Sequence, residues 1–253
     1  MSRVRLSPGL LRSLVVYYGV PWRARQLRAF YAQFLGPGCV GFDIGAHVGN
    51  RVRAWRQLGA RVVAVEPQAA CADLLARLFG RDPRVLLVRE AVGASPGEAL
   101  LLVSQAHPTV STVSRAWVDA VRKSPQFSGV AWDHQERVRV TTLDRLVERF
   151  GTPAFAKVDV EGAEADVLAG LSRPLPALSF EYTAAAPDIA IACVERLQSL
   201  ADYAYNWSVG ETLRLGGREW LTAAGIMAWL RRLPADARSG DVYARARAGV
   251  NPR

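Results

Sequence analysis

The stretch Phe42-Asp43-Ile44-Gly45-Ala46-His47-Val48-Gly49-Asn50, followed by Arg61-Val62-Val63-Ala64-Val65-Glu66-Pro67, constrains this chain more than any other part. A mostly apolar run from Cys39 to Ile44 carries an acid near its end and meets a glycine turn, and a helical pattern begins at Val48. A second apolar run closes in Glu66, 17 residues beyond Gly49. This is the sequence form of a βαβ unit that holds a nucleoside. The turn lets a ligand approach the backbone at a helix N-terminus, and the acid ending the second strand accepts ribose hydroxyls. The ligand implied is built on adenosine.

The rest of the chain continues the alternation. Residues 7–35 read as helical, with apolar positions at spacings of three and four; Gly19 and Pro21 split the stretch and Gly36-Pro37-Gly38 closes it. Strands are expected near 40–44, 61–66, 84–89, 137–142, 154–159 and 176–182, and helices over 48–58, 68–79, 143–150, 162–170 and 187–201. After them come a strand from 203, a turn at Gly216-Gly217, a helix at 221–232 and a last strand from Asp241 to Arg245. The expected fold is α/β: a mostly parallel, twisted, seven-stranded sheet with helices on both faces and an antiparallel C-terminal strand. Glu98 to Val103 reads as an extra short strand, and 104–136 as a long polar connection with a helix at 113–122. The expected organisation is an N-terminal helical extension (1–38) on a single domain (39–253) with an insertion at about 104–136. Long insertions of this kind carry substrate contacts or move.

Gly45 and Gly49 flank the turn, where a Cβ at Gly45 would crowd a ligand near the backbone. A dinucleotide fingerprint would place a glycine where His47 stands. The resulting Asp-x-Gly-x-His-x-Gly spacing resembles the D/E-x-G-x-G-x-G motif of class I S-adenosylmethionine-dependent methyltransferases. A second constellation runs Lys157-Val158-Asp159-Val160-Glu161-Gly162-Ala163-Glu164. Strand alternation puts Lys157, Asp159 and Glu161 on one side, at a strand's carboxyl end facing the same crevice. A buried ion pair with Glu161 and Glu164 serving the helix N-terminus is the competing reading.

Together with Val63-Ala64-Val65-Glu66-Pro67, Glu90-Ala91-Val92-Gly93 and Val138-Arg139-Val140-Thr141-Thr142-Leu143-Asp144, these motifs resemble the FkbM family of methyltransferases, over residues 36 to 182. The resemblance implies a Rossmann-like class I methyltransferase fold and S-adenosyl-L-methionine as methyl donor, with S-adenosyl-L-homocysteine as product. It also implies O-methylation of a small metabolite such as a sugar or polyketide. Asp43 and Gly45 would address the methionine part, Glu66 the ribose, and Glu90 with Ala91 would border the adenine. His47, Gly49, Asn50, Pro67 and Asp159 complete the expected cofactor set. The family most often has asparagine where this chain has His47. Ser111 and Thr112 lie where the family often carries serines.

Methyl transfer asks for in-line positioning and, with a hydroxyl acceptor, a base within hydrogen-bond reach. Lys157, Asp159, Glu161 and Glu181 form the expected catalytic set, with His47 and His134 as further candidate bases. Asp159 and Glu181 end adjacent strands and would suit a divalent cation, but two carboxylates do not make a site, so no metal is expected.

The net charge is +9 and only Lys123 and Lys157 are lysines; residues 1–56 hold nine arginines against the single acid Asp43. This fits a nucleic-acid or acidic-substrate surface, but arginines solvated on helix faces are the favoured reading. Cys39, Cys71 and Cys193 are scattered through apolar segments, which excludes a disulfide framework, and the three histidines are too dispersed for zinc. No apolar stretch reaches the length of a membrane span and the N-terminus lacks a cleavage site, so the expected location is cytoplasmic. The expected partner is a small-molecule acceptor bearing a hydroxyl; the apolar N-terminal helices offer a homodimer contact. The rival functions are an RNA methyltransferase, an NAD-dependent oxidoreductase and a non-catalytic scaffold.

Overall fold

A computed structural model describes residues 7–247. Ser7 caps α1 (Pro8–Tyr18) by accepting from Leu10 N–H, with Pro8 in the first turn where its missing donor is harmless. After α2 (Arg23–Tyr31) the chain enters β1 (Val40–Ile44), α3 (Asn50–Gln57), β2 (Arg61–Val65), α4 (Ala69–Phe79) and β3 (Val85–Val88). Next come β4 (Ala91–Val92), β5 (Gly97–Val103), α5 (Arg115–Val121), β6 (His134–Thr141) and α6 (Leu143–Phe150). The remainder is β7 (Phe155–Val158), α7 (Glu164–Ala169), β8 (Ala177–Tyr182), α8 (Pro187–Leu200), β9 (Tyr203–Val209), α9 (Ala223–Arg231) and β10 (Gly240–Ala246).

The main sheet has seven strands in the order β3-β2-β1-β7-β8-β10-β9. Only β10 runs against the others, wedged between β8 and β9. The strands are short apolar runs buried on both faces. Phe42, Ile44, Val63, Val65, Val158 and Phe180 point to the layer of α6 to α9, whereas Val62, Ala64, Phe155 and Tyr243 point to α2, α3 and α4. Alternation thus supplies two cores from one sheet, the arrangement of a Rossmann-like α/β fold.

One feature departs from the sequence reading. The strand at 137–142, placed there in the alternating series, lies outside the main sheet. As β6 it pairs antiparallel with β5 and parallel with β4 in a separate three-stranded sheet. Only Val138 and Thr141 of its eight residues are buried, which suits a sheet wetted on one side and not a strand buried on both. Within the N-terminal helical segment, α2 packs on the sheet. It puts Leu27, Phe30 and Tyr31 into the main core against Trp55, Phe155 and Tyr243, so it covers the sheet as an integral layer.

A polar row crosses this core. Asp43, Lys157, Ser179, Tyr243 and Asn206 are register partners on five adjacent strands, and all are buried. Lys157, second in the row, is held by ion pairs with Asp241 (2.5 Å) and Asp159 (3.1 Å).

Candidate functional site

From β1 the chain winds outward to β2 and β3, then returns to β7 on the other side. A crevice opens where neighbouring connections diverge, beyond the carboxyl ends of β1 and β7. A cavity occupies that place. One wall is the β1 turn and β2 end (Gly45, His47, Glu66, Pro67), another the β7 end (Asp159, Glu161), with Glu90 and Ala91 beside them. The segment from Pro108 to Val113 supplies a third wall, including Ser111 and Thr112.

The turns after β1 and β7 touch. Gly45 has φ +85°, and a Cβ there would sit 1.9 Å from the Asp159 carbonyl oxygen. Asp159 N–H donates to Ile44 C=O at 3.0 Å, while Gly45 and Ala46 N–H both donate to Val65 C=O. Gly45 is therefore required by the neighbouring chain, a reason the sequence reading did not have. Gly49 lies off the cavity wall, and a Cβ there would strike Leu75 and Phe79 of α4.

Glu66 is fixed before any ligand arrives. One carboxylate oxygen accepts from His47 N–H (2.8 Å), the other from Gln68 N–H (2.9 Å), and each keeps a free lone pair. Burial pushes its pKa up to about 7, against the lowering effect of those two backbone donors. A pair of vicinal hydroxyls donating to this carboxylate would stabilise its ionised form, which is the fit a ribose provides. His47 has φ +48° and its ring meets Tyr17 of α1 edge-on at 5.7 Å. Burial lowers its pKa to about 4, so the imidazole is neutral at physiological pH, and its buried Nε2 has no protein partner.

At the opposite wall, alternation breaks after β7: Glu161 has φ +56° and Gly162 φ +90°. The turn brings carboxylate oxygens of Asp159, Glu161 and Glu181 within 4.8 Å of one another. The three do not share one ionisation state. Burial opposes charge on Asp159, but Lys157 and Arg51 outweigh it and hold its pKa below the ordinary value. Burial together with the Asp159 charge raises Glu161 well above the usual carboxylate range, and burial with Glu161 does the same to Glu181. Glu164 is the clamp of this turn, accepting from Val160 N–H (3.1 Å) and Gly162 N–H (3.0 Å). Thr112 hydroxyl donates to Glu161 C=O at 2.6 Å, and Trp117 of α5 lies against Gly162, where a Cβ would come within 2.1 Å of the indole.

Several expected site residues lie off the cavity wall. Asp43 is buried beneath the turn with both oxygens unpartnered, its pKa pushed up to about 7 chiefly by burial. Asn50 is buried with an unpartnered amide nitrogen in the first turn of α3. Lys157 is 1% exposed; its two carboxylate partners outweigh burial and keep it protonated, so a role as base does not fit its position. Glu181 reaches the carboxylate cluster from β8 without lining the cavity. Sequence reasoning missed Arg51, which is buried at 2.8 Å from Glu211 and 3.7 Å from Asp159. Its only signal was an arginine on a helix face otherwise read as solvated.

Residues 43–206, nearly two thirds of the chain, match the family model described as the methyltransferase FkbM domain. No curated protein matches the chain. Among solved structures, a precorrin-6y C5,15-methyltransferase from Geobacter metallireducens is 11% identical with a TM-score of 0.45, covering 88% of this chain and 87% of that one. An O-methyltransferase from Bacillus cereus, solved in complex with S-adenosylhomocysteine, is 13% identical with a TM-score of 0.43, covering 94% and 90%. A SAM-dependent O-methyltransferase from Thermotoga maritima is 11% identical with a TM-score of 0.42, covering 96% and 73%.

Proposed function

The chain belongs to the FkbM family of methyltransferases and uses S-adenosylmethionine, and on that premise we propose that it methylates a hydroxyl of a small metabolite, of the sugar or polyketide kind. The observation that carries this reading is the pairing within one cavity of Glu66, pre-set for a ribose, with Glu161, a carboxyl whose pKa is raised. When bound, S-adenosylmethionine supplies a methyl group already made electrophilic by its sulfonium. The protein's task is then to orient the acceptor and receive a proton.

Glu161 suits the second task. A raised carboxyl is a stronger base than a free one and is matched better to a weakly acidic hydroxyl. Asp159, ionised between Lys157 and Arg51, disfavours a second charge on Glu161 and so tunes it upward. Glu181, raised in the same way, backs the cluster. Glu66 and the Gly45 turn would hold the nucleoside side, with Pro67, Glu90 and Ala91 bordering the base. Gly49 lets α4 pack against the turn from behind, and Asp43 and Asn50 lie buried beneath it with polar atoms free to meet the methionine end of the cofactor.

The test is S-adenosylhomocysteine release over a panel of hydroxylated sugars, polyketides and RNA, with calorimetry for cofactor binding. Glu161→Gln should lower turnover by about 100-fold or more with cofactor affinity retained. Glu66→Ala should weaken S-adenosylhomocysteine by roughly 100-fold through two lost charge-assisted hydrogen bonds. Turnover of wild type should rise with pH as Glu161 ionises. Turnover on RNA alone, or full activity of Glu161→Gln, would sink the proposal.

A further inference from the structure

We propose that the outer face of α1, with the turn into α2, docks this protein on an anionic lipid surface. A helix that borders water ordinarily turns charged residues outward. The sequence of α1 is apolar almost all the way round, and only half of it is covered. Leu10, Leu14, Tyr17 and Tyr18 pack inward around Val48, Cys71 and Leu74. Leu11 (47% exposed), Val15 (69%) and Val16 (46%) face outward, and Trp22 (65%) follows in the turn. Among the described residues these are four of the seven exposed large apolar side chains, gathered within twelve residues of chain.

The charge near this patch is mainly basic. Residues 7–42 contain four arginines and no acid, and Glu211, the acid that reaches Arg23, is also taken up by Arg51. Arg12 and Arg25 are exposed beside the apolar side chains. From Tyr18, at the end of α1, a groove continues past Arg53, Arg56, Arg81 and Arg84 to the exposed Leu78. Its one acid, Asp82, is taken up by Arg56 and Arg84. Aliphatic side chains and an indole framed by arginines match an interface of acyl chains and anionic headgroups. A second copy of this chain would set these arginines against their own kind, and a nucleic acid would leave Leu11, Val15 and Val16 without a counterpart. Among the described residues no helix is long and apolar enough to cross a membrane, so the contact is one of surface adsorption.

The experiment is co-sedimentation of the full chain with vesicles of phosphatidylcholine alone or with added phosphatidylglycerol. Binding should require phosphatidylglycerol, weaken as salt is raised, and fall on the order of tenfold in the double variant Val15→Ser, Trp22→Ser. Both positions lie outside the cavity, so the variant should bind S-adenosylhomocysteine like wild type, which also reports that it is folded. Vesicle binding that is absent, or equal in wild type and variant, overturns the proposal. So does a dimer in light scattering that the same two substitutions convert to monomer, which would assign the face to a second copy.

Discussion

His47 sits at φ +48°, in the left-handed region that most side chains avoid and that asparagine and histidine enter most readily among non-glycine residues. Histidine thus meets a backbone demand that asparagine would meet as well. The ring itself is neutral, because burial lowers its pKa to about 4. His47→Asn should fold as well as wild type and bind S-adenosylhomocysteine with similar affinity. His47→Val should cost roughly 1–2 kcal/mol for forcing a β-branched residue into that conformation, measurable by urea denaturation. Sequence reading found the position and its departure from the family pattern. It had no access to φ, and so it left open whether the imidazole titrates beside the cofactor. Gly45 is similar: the need for glycine was visible, while the neighbour that enforces it, the Asp159 carbonyl, lies more than a hundred residues away.

At the scale of elements, the alternation of apolar runs and helical periods was enough to read β1, β2, β7 and β8 and the helices between them. These strands are short, apolar and buried on both faces, so local pattern and tertiary environment agree. The carboxyl ends of β1, β2 and β7 then carry the acids that the pattern marks. The insertion was harder. Its helix was legible, falling within 113–122, but its destination was not: α5 lands Trp117 on Gly162 and forms a small core with Leu102, Val118 and Val121. Contacts of such long sequence separation leave no local periodicity. The insertion is thus a brace for the turn that carries Asp159 and Glu161. Trp117→Ala should cost about 3–5 kcal/mol as a buried aromatic truncation, and turnover should fall with it because Glu161 loses its support. A calorimetric melt and a turnover assay on the same sample would check both; unchanged turnover would mean the turn holds its shape through Glu164 alone.

At the scale of the whole molecule, the cofactor-free protein keeps several buried carboxyls at high pKa. Asp43, Glu66 and Glu164 hold their protons up to about 7, because burial penalises the charged form. In the unfolded chain the same groups ionise at about 4. Between those values the folded state binds more protons, so stability falls as pH rises through the window. Glu161 and Glu181 shift in the same direction. His47, lowered to about 4 from 6.5, works oppositely and offsets one of them. The cofactor-free protein should therefore melt at a higher temperature near about pH 5.5 than near about pH 8. S-adenosylhomocysteine should narrow that gap, since hydroxyls donating to Glu66 favour its ionised form. A scan of melting temperature against pH, with and without the product, reads both effects, and a melting temperature that climbs steadily to pH 8 would contradict the first.

The place of β10 in the sheet has a consequence for the order of events during synthesis. Asp241 stands in the last strand of the described chain, yet it supplies one of the two carboxylates that neutralise Lys157 in the centre of the sheet. Until the ribosome has released that strand, β7 would have to bury an ammonium with one partner missing, a state that buried charges do not tolerate. The two turns that form the cavity lie earlier in the sequence, yet the ammonium behind their wall is neutralised by a residue 84 positions beyond it, on a strand seated between β8 and β9.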